Sequence, residues 1–265
     1  QTPGVYFFKN EAKKIIYVGK AKNIKKRVLS HLYAKASKEI ALAQETHHID
    51  YEQTGNELTA LLLESHHIIK HYPKYNKVQK RPTTTFQIIN YTNRKGILQL
   101  AIGKTKTTTN SIATLYSNAL AIEHLENLCQ EYELCPRYCS LQGQGNACSH
   151  YKIKKCNGIC QDLEDAQVYN KRVKEAIYSF QQQQDSYIIK GKGRTPTEIS
   201  IILIEQGEYK GFGFIDSQES IAYFEDFATY ITRYKSSYYT SKILQSYHKK
   251  NGKQNIISKK ENTMV

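Results

Sequence analysis

Two tyrosines and a small set of charged and polar residues near the amino terminus have the types and spacing of a phosphodiester-cutting site. Tyr6 lies in Gly4-Val5-Tyr6 and Tyr17 lies in Tyr17-Val18-Gly19. The other candidate catalytic residues are Lys20, Arg27, His31, Glu64 and Asn76. Cutting a phosphodiester requires an activated water, neutralisation of the charge that develops on the phosphate, and help for the leaving oxygen. The set offers a candidate for each requirement.

Glu64 is the candidate metal ligand. It follows Leu61, Leu62 and Leu63 in an apolar run with helical spacing, and a carboxylate buried there without a partner would be costly. A hard cation such as magnesium would offset that cost. A single Glu at the edge of an apolar stripe is more often solvated or paired with an Arg, so the interpretation depends on the residues around it.

The tyrosines and the neighbouring cations are candidates for proton transfer and phosphate binding. A phenol, whose pKa is about 10, works as a base or proton relay only beside cations, and Lys20 could supply that field. Arg27 could hold the scissile phosphate through its planar guanidinium. Taken singly, strand tyrosines are usually core or cross-strand residues, and a helix arginine is usually solvated.

The segment from Lys9 to Arg27 is strongly basic, with eight Lys or Arg residues against one acid, Glu11. The formal net charge of the whole chain is +14, which favours a polyanionic partner because bound lysines release condensed counterions. Charge alone does not choose among DNA, RNA and membrane, and a basic run by itself is usually a wet surface. The candidate DNA-binding residues are Lys9, Lys13, Lys14, Lys22, Lys25 and Lys26.

The first predicted elements bring several of these residues together. Residues 4–8 and 14–18 are rich in β-forming side chains and predict an antiparallel hairpin. Asn23 offers an N-cap to a following helix, on which Arg27 and His31, four residues apart, share one face.

The next predicted elements position Glu64 and Asn76. A short strand near 49–53 leads to Asn56, which caps a helix over 57–71. That helix stops before Pro73, because a proline disfavours helical backbone in the residue before it.

The predicted fold class is α+β, with a small mixed or antiparallel sheet flanked by helices, then a cysteine-rich metal-binding segment and a small α+β carboxy-terminal region. Later predicted elements are a hairpin of 86–91 with 97–102, helices at 117–132 and 164–184, a hairpin of 199–205 with 209–215, and a helix at 219–232. The predicted regions are 1–81, 82–184, 185–248 and a disordered tail at 249–265. No motif connects residues 185–265 with a chemistry.

Six cysteines in a basic chain favour a metal centre over a disulfide framework. The clustered ones are Cys135, Cys139, Cys148, Cys156 and Cys160. Clustered thiolates suit a tetrahedral zinc ion or an iron–sulfur cluster, and ordinary buried cysteines are the alternative. Cys129 lies on the preceding predicted helix and is expected to be a core residue.

The chain carries no membrane or export signal. No stretch approaches the ~18 apolar residues of a membrane helix, and no secretory signal opens the sequence. We therefore expect a soluble, cytoplasmic protein with no membrane partner. The chain begins at Gln1, as a domain excised from a longer polypeptide would.

Several motifs resemble the GIY-YIG nuclease superfamily. In the amino-terminal region these are Gly4-Val5-Tyr6, Tyr17-Val18-Gly19-Lys20-Ala21-Lys22, Lys26-Arg27-Val28, Leu61-Leu62-Leu63-Glu64 and Pro73-Lys74-Tyr75-Asn76. The cysteine motifs are Cys135-Pro136-Arg137-Tyr138-Cys139, Cys148-Ser149-His150-Tyr151 and Cys156-Asn157-Gly158-Ile159-Cys160. Together they look like the amino-terminal region of component C of excinuclease ABC, in the form fused to an exonuclease of the polymerase III epsilon type. The resemblance covers residues 3–81 most closely and extends to about 175.

The resemblance implies roles for the candidate residues. Glu64 would bind one Mg²⁺ or Mn²⁺ ion, Arg27 would steady the phosphate, and Tyr6 or Tyr17, assisted by Lys20, would activate water. Asn76 would be a supporting polar residue. His31 stands where excinucleases of this type commonly have tyrosine and some related restriction nucleases have histidine, and a neutral histidine could itself relay a proton.

For the cysteines, the resemblance favours a four-iron four-sulfur cluster. The implied ligands are Cys139, Cys148, Cys156 and Cys160, with Cys135 as the alternative to Cys139. A zinc ion is the alternative metal. Either would stabilise and orient the chain rather than cut DNA.

The function that the resemblance implies is a single incision on the 3′ side of a DNA lesion in nucleotide excision repair, after damage-recognition proteins have marked the site. The alternatives are a non-catalytic DNA-binding module that serves a fused exonuclease, and a nuclease for branched DNA. The sequence ends before the second nuclease and the helix-hairpin-helix units of the full excinuclease component, so we expect it not to make both incisions.

Overall fold

The computed structural model describes residues 3–79, 84–104, 110–143, 147–183, 185–252 and 254–259. The described residues of Gln1–Pro82 and Asp185–Val265 form one compact unit, and those of Thr83–Gln184 form a second. No helix in these ranges is both long and apolar enough to cross a membrane. The predicted α+β class is confirmed.

A three-stranded antiparallel sheet carries the tyrosine motifs. Its strands are β1 (Gly4–Lys9), β2 (Ile15–Ala21) and β3 (His48–Gln53), in the order β2-β1-β3. Tyr6 of β1 faces Gly19 of β2, and Phe8 faces Tyr17. The hairpin and the strand near 49–53 that the sequence predicts are confirmed.

Three helices flank this sheet, and they are α1 (Ile24–Leu32), α2 (Ser37–Glu45) and α3 (Glu57–His71). Both predicted N-caps are present, since Asn23 accepts a hydrogen bond from the backbone of Lys26 and Asn56 accepts one from that of Thr59. The sequence did not predict α2.

Alternation along β1 directs its side chains to two cores. Val5 and Phe7 pack with α3 residues such as Leu62, whereas Tyr6 and Phe8 pack with residues of α1 and α2. Successive side chains of a strand point to opposite faces, so the sheet lies between α3 on one face and α1 with α2 on the other.

The second unit contains a sheet, two long helices and the cysteines. The strands are β4 (Phe86–Thr92), β5 (Leu98–Lys104) and β6 (Ser111–Leu115), in the order β5-β4-β6, and the helices are α4 (Asn118–Glu131), α5 (Ser149–Lys152) and α6 (Ala166–Gln183). Five of the cysteines are buried in the same core as residues of β4, β5, α4 and α6, and they are Cys129, Cys135, Cys139, Cys148 and Cys156. The predicted hairpin and both predicted long helices are confirmed.

The carboxy-terminal part of the first unit is a five-stranded antiparallel sheet with one helix. The strands are β7 (Tyr187–Lys192), β8 (Glu198–Glu205), β9 (Glu208–Asp216), β10 (Ile231–Arg233) and β11 (Ile256–Ser258), in the order β10-β9-β8-β7-β11, and the helix is α7 (Tyr238–Asn251). The predicted hairpin of β8 and β9 is confirmed.

Two predictions for this region are wrong. The helix predicted at 219–232 is only a 3-10 turn over Phe224–Tyr230, followed by strand β10. The tail predicted at 249–265 is not disordered where it is described, because α7 continues to Asn251 and β11 pairs with β7 through apolar Ile256 and Ile257. Residues 260–265 lie outside the described ranges.

The carboxy-terminal sheet packs directly against α3. Ile189, Ile202 and Leu244 share one core with Leu62 and Leu63 of α3. The Asn56 side chain at the start of α3 also donates hydrogen bonds across this contact, to the Lys192 carbonyl at 2.8 Å and to the Ser200 hydroxyl at 2.7 Å. Residues 185–259 therefore support the helix that carries Glu64, although the sequence predicted 185–248 as a separate region.

Candidate active site and cysteine cluster

The outer edge of β2 is the structural base of the candidate active site. Asn76 pairs with the backbone of Val18 like an added strand, since its Oδ1 accepts from the Val18 N–H at 2.9 Å and its Nδ2 donates to the Val18 carbonyl at 2.8 Å. Two residues along, the Lys20 N–H donates to Oε1 of Glu64 at 3.0 Å. The edge of a sheet exposes unpaired backbone groups, and Asn76 and Glu64 satisfy them here.

Glu64 is a partly buried carboxylate without a cationic side-chain partner among the described residues. Burial raises its pKa, and the Lys20 N–H and the Lys20 charge lower it in part. A carboxylate that is costly to ionise and is held at one oxygen by a backbone donor suits a hard cation at its other oxygen.

Tyr6, His31 and Glu39 form a buried chain of hydrogen bonds. The Tyr6 hydroxyl lies 2.8 Å from Nε2 of His31, and Nδ1 of His31 lies 2.5 Å from Oε2 of Glu39. Because an ionised carboxylate only accepts hydrogen bonds, Nδ1 of His31 carries the proton, and Nε2 of the neutral ring then accepts from the Tyr6 hydroxyl. The structure thus gives His31 a defined tautomer.

Tyr17 and Arg27 complete the group around Tyr6. The Tyr17 ring lies 5.1 Å from the His31 ring and 6.1 Å from the Tyr6 ring, between centroids. Burial raises the pKa of Tyr17, the neighbouring Tyr6 hydroxyl lowers it, and the Glu64 charge raises it again. Burial and then Tyr17 raise the pKa of Tyr6 well above its usual value, while Arg27 acts to lower it. Both phenols are therefore protonated at neutral pH.

Gly19 lets the two tyrosines approach the strand. A Cβ at this position would lie 2.3 Å from the Tyr6 hydroxyl and 3.0 Å from the Tyr17 ring. No L side chain fits there without displacing Tyr6, so the glycine of the Tyr17-Val18-Gly19 motif provides the space that the Tyr6 hydroxyl occupies.

The Lys20 side chain contacts Glu57, whereas the sequence suggested that it lies beside the tyrosines. Its ammonium forms an ion pair with Glu57 at the start of α3, and Lys22 forms another with the same carboxylate at 3.3 Å. These contacts lower the pKa of Glu57. Lys20 therefore contributes its backbone N–H to Glu64 and its side chain to Glu57.

The predicted DNA-binding lysines fall into two groups. Lys9, Lys13 and Lys14 lie at the turn end of the β1–β2 hairpin, where the Lys9 ammonium pairs with Asp50. Lys22, Lys25 and Lys26 lie at the start of α1, at the other end of β2, and are exposed. Three or four strand residues, about 10–13 Å at 3.3 Å per residue, separate the hairpin turn from Tyr6 and Tyr17.

The cysteine cluster contains Cys135 rather than Cys139. The sulfur atoms of Cys135, Cys148 and Cys160 all lie within 4.8 Å of one another, and Cys156 Sγ lies 3.5 Å from Cys148 Sγ. Cys139 is fully buried and its thiol contacts Cys129 instead. The geometry therefore favours the alternative ligand, Cys135, over Cys139.

The cluster geometry fits one metal ion. Four thiolates around a zinc ion at about 2.3 Å stand about 3.8 Å apart. The Cys148–Cys156 sulfur separation of 3.5 Å is near that value, and the sulfurs of Cys135, Cys148 and Cys160 lie within 4.8 Å of one another. The pKa of Cys156 is lowered to about 6, mainly because the Cys135 thiol donates a hydrogen bond to its sulfur. Burial acts to raise this pKa, and a hydrogen bond from the Gly158 N–H lowers it further.

Glu39 and Glu57 are the two residues of the site that the sequence did not indicate. Glu39 lies in α2, eight residues after His31, and Glu57 is 37 residues from Lys20. Only the path of the chain brings these pairs together. The one local signal for Glu39 was an acidic residue in the first turn of a short helix.

Comparison with known proteins identifies two families that match parts of this chain. Residues 2–77 match the family described as the UvrC-like GIY-YIG domain, and residues 69–179 match the middle domain of UvrC/Cho excinucleases. These residues form a UvrC-like GIY-YIG domain followed by a UvrC/Cho middle domain, so the resemblance noted in the sequence is confirmed. A fusion to an exonuclease stays a prediction.

Individual relatives match over part of their length. UvrABC system protein C of Mesoplasma florum is 35% identical over 180 residues, which cover 67% of this chain and 30% of that protein. Excinuclease cho of Salmonella typhi is 29% identical over 178 residues, which cover 66% of this chain and 60% of that protein. The chain thus spans about a third of the first of these relatives and three fifths of the second.

A solved structure also matches. It is the GIY-YIG N-terminal endonuclease domain of UvrC from Thermotoga maritima, bound to magnesium as its catalytic divalent cation. The sequence identity is 39%, the match covers 28% of this chain and 83% of that chain, and the TM-score is 0.27.

Proposed function

We propose that this chain is a metal-dependent DNA endonuclease that makes a single-strand incision, on the 3′ side of a lesion, in nucleotide excision repair. One observation carries the proposal. Glu64, a partly buried carboxylate without a cationic side-chain partner in the described ranges, is hydrogen-bonded to β2 within electrostatic reach of Tyr17. An acid, a phenol and the nearby Arg27 meet the three chemical requirements of phosphodiester cleavage.

Glu64 is the residue that would hold the divalent cation, Mg²⁺ or Mn²⁺. Its burial and its single backbone hydrogen bond fit an oxygen ligand for a hard cation. When bound, such an ion supplies Lewis-acid stabilisation of charge on the phosphate oxygens.

The proton path that we propose begins at Tyr6 and ends at His31. Because its pKa is raised, Tyr6 reacts as a neutral phenol. It accepts a proton from the attacking water while it passes its own proton to Nε2 of His31. Glu39 holds the opposite nitrogen and stabilises the imidazolium that results. Tyr17, whose ring lies 6.1 Å from that of Tyr6 and whose pKa is raised in part by the Glu64 charge, would orient the water.

Arg27 and the lysines near it would bind the phosphates of the DNA. The planar guanidinium of Arg27 can hold two phosphate oxygens, and its charge already acts on both phenols. Lys22, Lys25 and Lys26 are exposed beside it and would contact the neighbouring phosphates of the strand.

Nicking of an end-labelled, lesion-containing duplex tests the function. The chain is assayed in Mg²⁺, in Mn²⁺ and in EDTA, alone and with damage-recognition proteins, beside Glu64→Gln and the exposed control Glu11→Gln. We expect nicking in either metal, none in EDTA and none by Glu64→Gln. Binding without nicking under every condition would make the chain a DNA-binding module. Preferred nicking of branched over lesion-containing duplex would reassign the substrate.

We propose further that Cys135, Cys148, Cys156 and Cys160 hold a structural metal, as either a zinc ion or an iron–sulfur cluster. The close approach of the sulfurs supports four thiolate ligands. Metal analysis of the purified chain, with Cys148→Ser and the buried control Cys129→Ser, tests this. We expect zinc or iron in the intact chain and in Cys129→Ser, and its loss in Cys148→Ser. Equal metal content in all three would remove the proposal.

The proposed setting is the cytoplasm, where repair proteins that recognise damage would deliver the DNA. A +14 chain favours DNA as the direct partner. Co-purification of the chain with damage-bound repair proteins on lesion-containing but not on intact duplex would support this.

A further inference from the structure

A cavity of about 670 Å³ lies between the start of α3, strands β7 and β8, and helix α7. All of its lining residues belong to the first compact unit. Its apolar surface comes from Leu61, Ile189 and Ile243, and Tyr247 contributes an aromatic ring. Small-molecule sites are concave, mostly apolar and about 300–1,000 Å³ in volume, so the cavity has the size of a nucleotide site and is too narrow for a duplex.

The rim of the cavity is cationic. Lys190, Lys242 and Lys250 line it and are exposed, and none of the three forms an ion pair within the described ranges. Glu57, the one acid among the described lining residues, is already paired with Lys20 and Lys22. The cavity therefore offers an uncompensated positive charge above an apolar and aromatic floor.

The cavity is close to the candidate active site along one helix. Glu57 lines the cavity, and Glu64 lies seven residues later on the same face of α3. Seven residues of helix span about 10 Å, which equals the rise of about three nucleotides along the axis of a duplex at 3.4 Å each. A strand with its scissile phosphate at Glu64 would bring a nucleotide about three positions away to the cavity.

We propose that this cavity binds one unpaired nucleotide of the DNA substrate, about three positions from the incision, and thereby selects DNA whose pairing is disturbed. The base would lie against the apolar floor and Tyr247, and the lysines would contact the flanking phosphates. Aromatic stacking is worth about 1–3 kcal/mol per base and tolerates any sequence. Extruding a nucleotide costs least where the base is damaged, mismatched or unpaired. The inference rests on the proposed nuclease function.

Matched pairs of lysine substitutions test the rim. The variant Lys242→Gln/Lys250→Gln removes two charges that line the cavity, whereas Lys235→Gln/Lys249→Gln removes two nearby charges that do not. We expect the first variant to raise KM for lesion-containing duplex about tenfold at nearly constant kcat, and to lower the salt dependence of binding by about two phosphate contacts. The second should change KM less than twofold. Equal effects of the two variants would overturn the proposal.

A fluorescent base tests the occupant. 2-Aminopurine is placed at successive positions on either side of the incision and is read in Ca²⁺, which permits binding without turnover. We expect a change in fluorescence at one or two positions about three nucleotides from the incision, and its loss in Lys242→Gln/Lys250→Gln. No position-specific change would overturn the proposal even if the chain nicks normally. If the expected position-specific change occurs but the chain never nicks DNA, the nuclease function would be contradicted and the nucleotide site would be supported.

Discussion

At the scale of single residues, the proposed proton path depends on how firmly Glu39 fixes His31. The His31 ring is 6% exposed and both of its nitrogens are engaged, one by Tyr6 and one by Glu39. A carboxylate in this position keeps the tautomer whose Nε2 can accept a proton, and it stabilises the charge that arrives. Glu39 would thus act through His31 as a positioning residue, without contact to DNA.

Replacing Glu39 tests this arrangement. We expect Glu39→Gln to lower kcat by about 10- to 100-fold, the low end of what general acid–base groups contribute, with little change in KM or thermal stability. The exposed substitution Glu11→Gln should leave kcat unchanged. The measurement is the rate of metal-dependent nicking under saturating DNA.

A double-mutant cycle separates a role through His31 from a purely structural one. If Glu39 acts only through His31, Glu39→Gln should have no further effect on kcat in a His31→Ala background, because residues that act as a unit are not additive. Multiplicative loss of kcat in the double variant would contradict the positioning role.

At the scale of the elements, the start of α3 depends strongly on one side chain. Asn56 satisfies the Thr59 N–H at 2.9 Å and also donates to the carboxy-terminal sheet at Lys192 and Ser200. Gly55, just before it, has a positive φ of 74°, and a Cβ there would lie 2.0 Å from the Gly193 carbonyl oxygen. The start of α3 is therefore built to fit closely against that sheet.

We expect Asn56→Ala to destabilise the first unit by about 2–3 kcal/mol, about 1 for the cap and about 1 for each hydrogen bond to the sheet that is lost. The control is Asn23→Ala, which removes the N-cap hydrogen bond of α1 and should cost about 1 kcal/mol. Urea unfolding measures both. Equal costs for the two substitutions would show that the contacts with the sheet contribute nothing.

The sequence predicted elements well where local signals were complete. Asn23 and Asn56, as N-cap residues, indicated where two helices begin. The spacing of β-rich runs predicted the hairpin that carries Tyr6 and Tyr17. It missed α2, whose N-cap position Ala36 makes no side-chain cap bond, and α7, whose polar tyrosine-rich sequence lacks a clear apolar stripe.

The site residues were also predicted where the signal is local and missed where the contact joins distant parts of the chain. The motif residues were found because each is distinctive in type and spacing, and Glu64 and Asn76 do meet on β2. The choice between Cys135 and Cys139 could not be made, because the two lie four residues apart on one turn and only the packing of Cys139 against Cys129 decides it. Contacts that join distant parts of the chain have no local signature.

At the scale of the whole molecule, the first unit contains one core that is made from both ends of the chain. Apolar residues of the amino-terminal sheet, of α3 and of the carboxy-terminal sheet belong to one cluster. Loss of the carboxy-terminal sheet would expose the face of α3 opposite the nuclease sheet. The stability of the active site therefore depends on residues more than a hundred positions away from it.

The same core contains a histidine that makes stability depend on pH. Burial, with the neighbouring His66, His71 and Lys70, lowers the pKa of His67 to about 4, and its Nδ1 is buried without a hydrogen-bond partner in the described ranges. Its ring packs edge-on against Phe7 of β1, 4.7 Å between centroids. The folded state thus favours the neutral ring.

We expect this group to destabilise the first unit as the pH falls. The pKa of histidine is about 6.5 in the unfolded chain and about 4 in the folded one, so its contribution is fully present above pH ~6.5 and is lost progressively down to pH ~4, by about 2 kcal/mol once partial exposure is discounted. The free energy of unfolding, measured in urea at half-unit steps of pH, should decline less steeply in His67→Phe, while the exposed control His47→Phe should follow the intact chain. Parallel curves for His67→Phe and the intact chain would show that His67 takes no part in the loss, and that other groups, such as His66 and His71, whose pKa values burial also lowers, cause all of it.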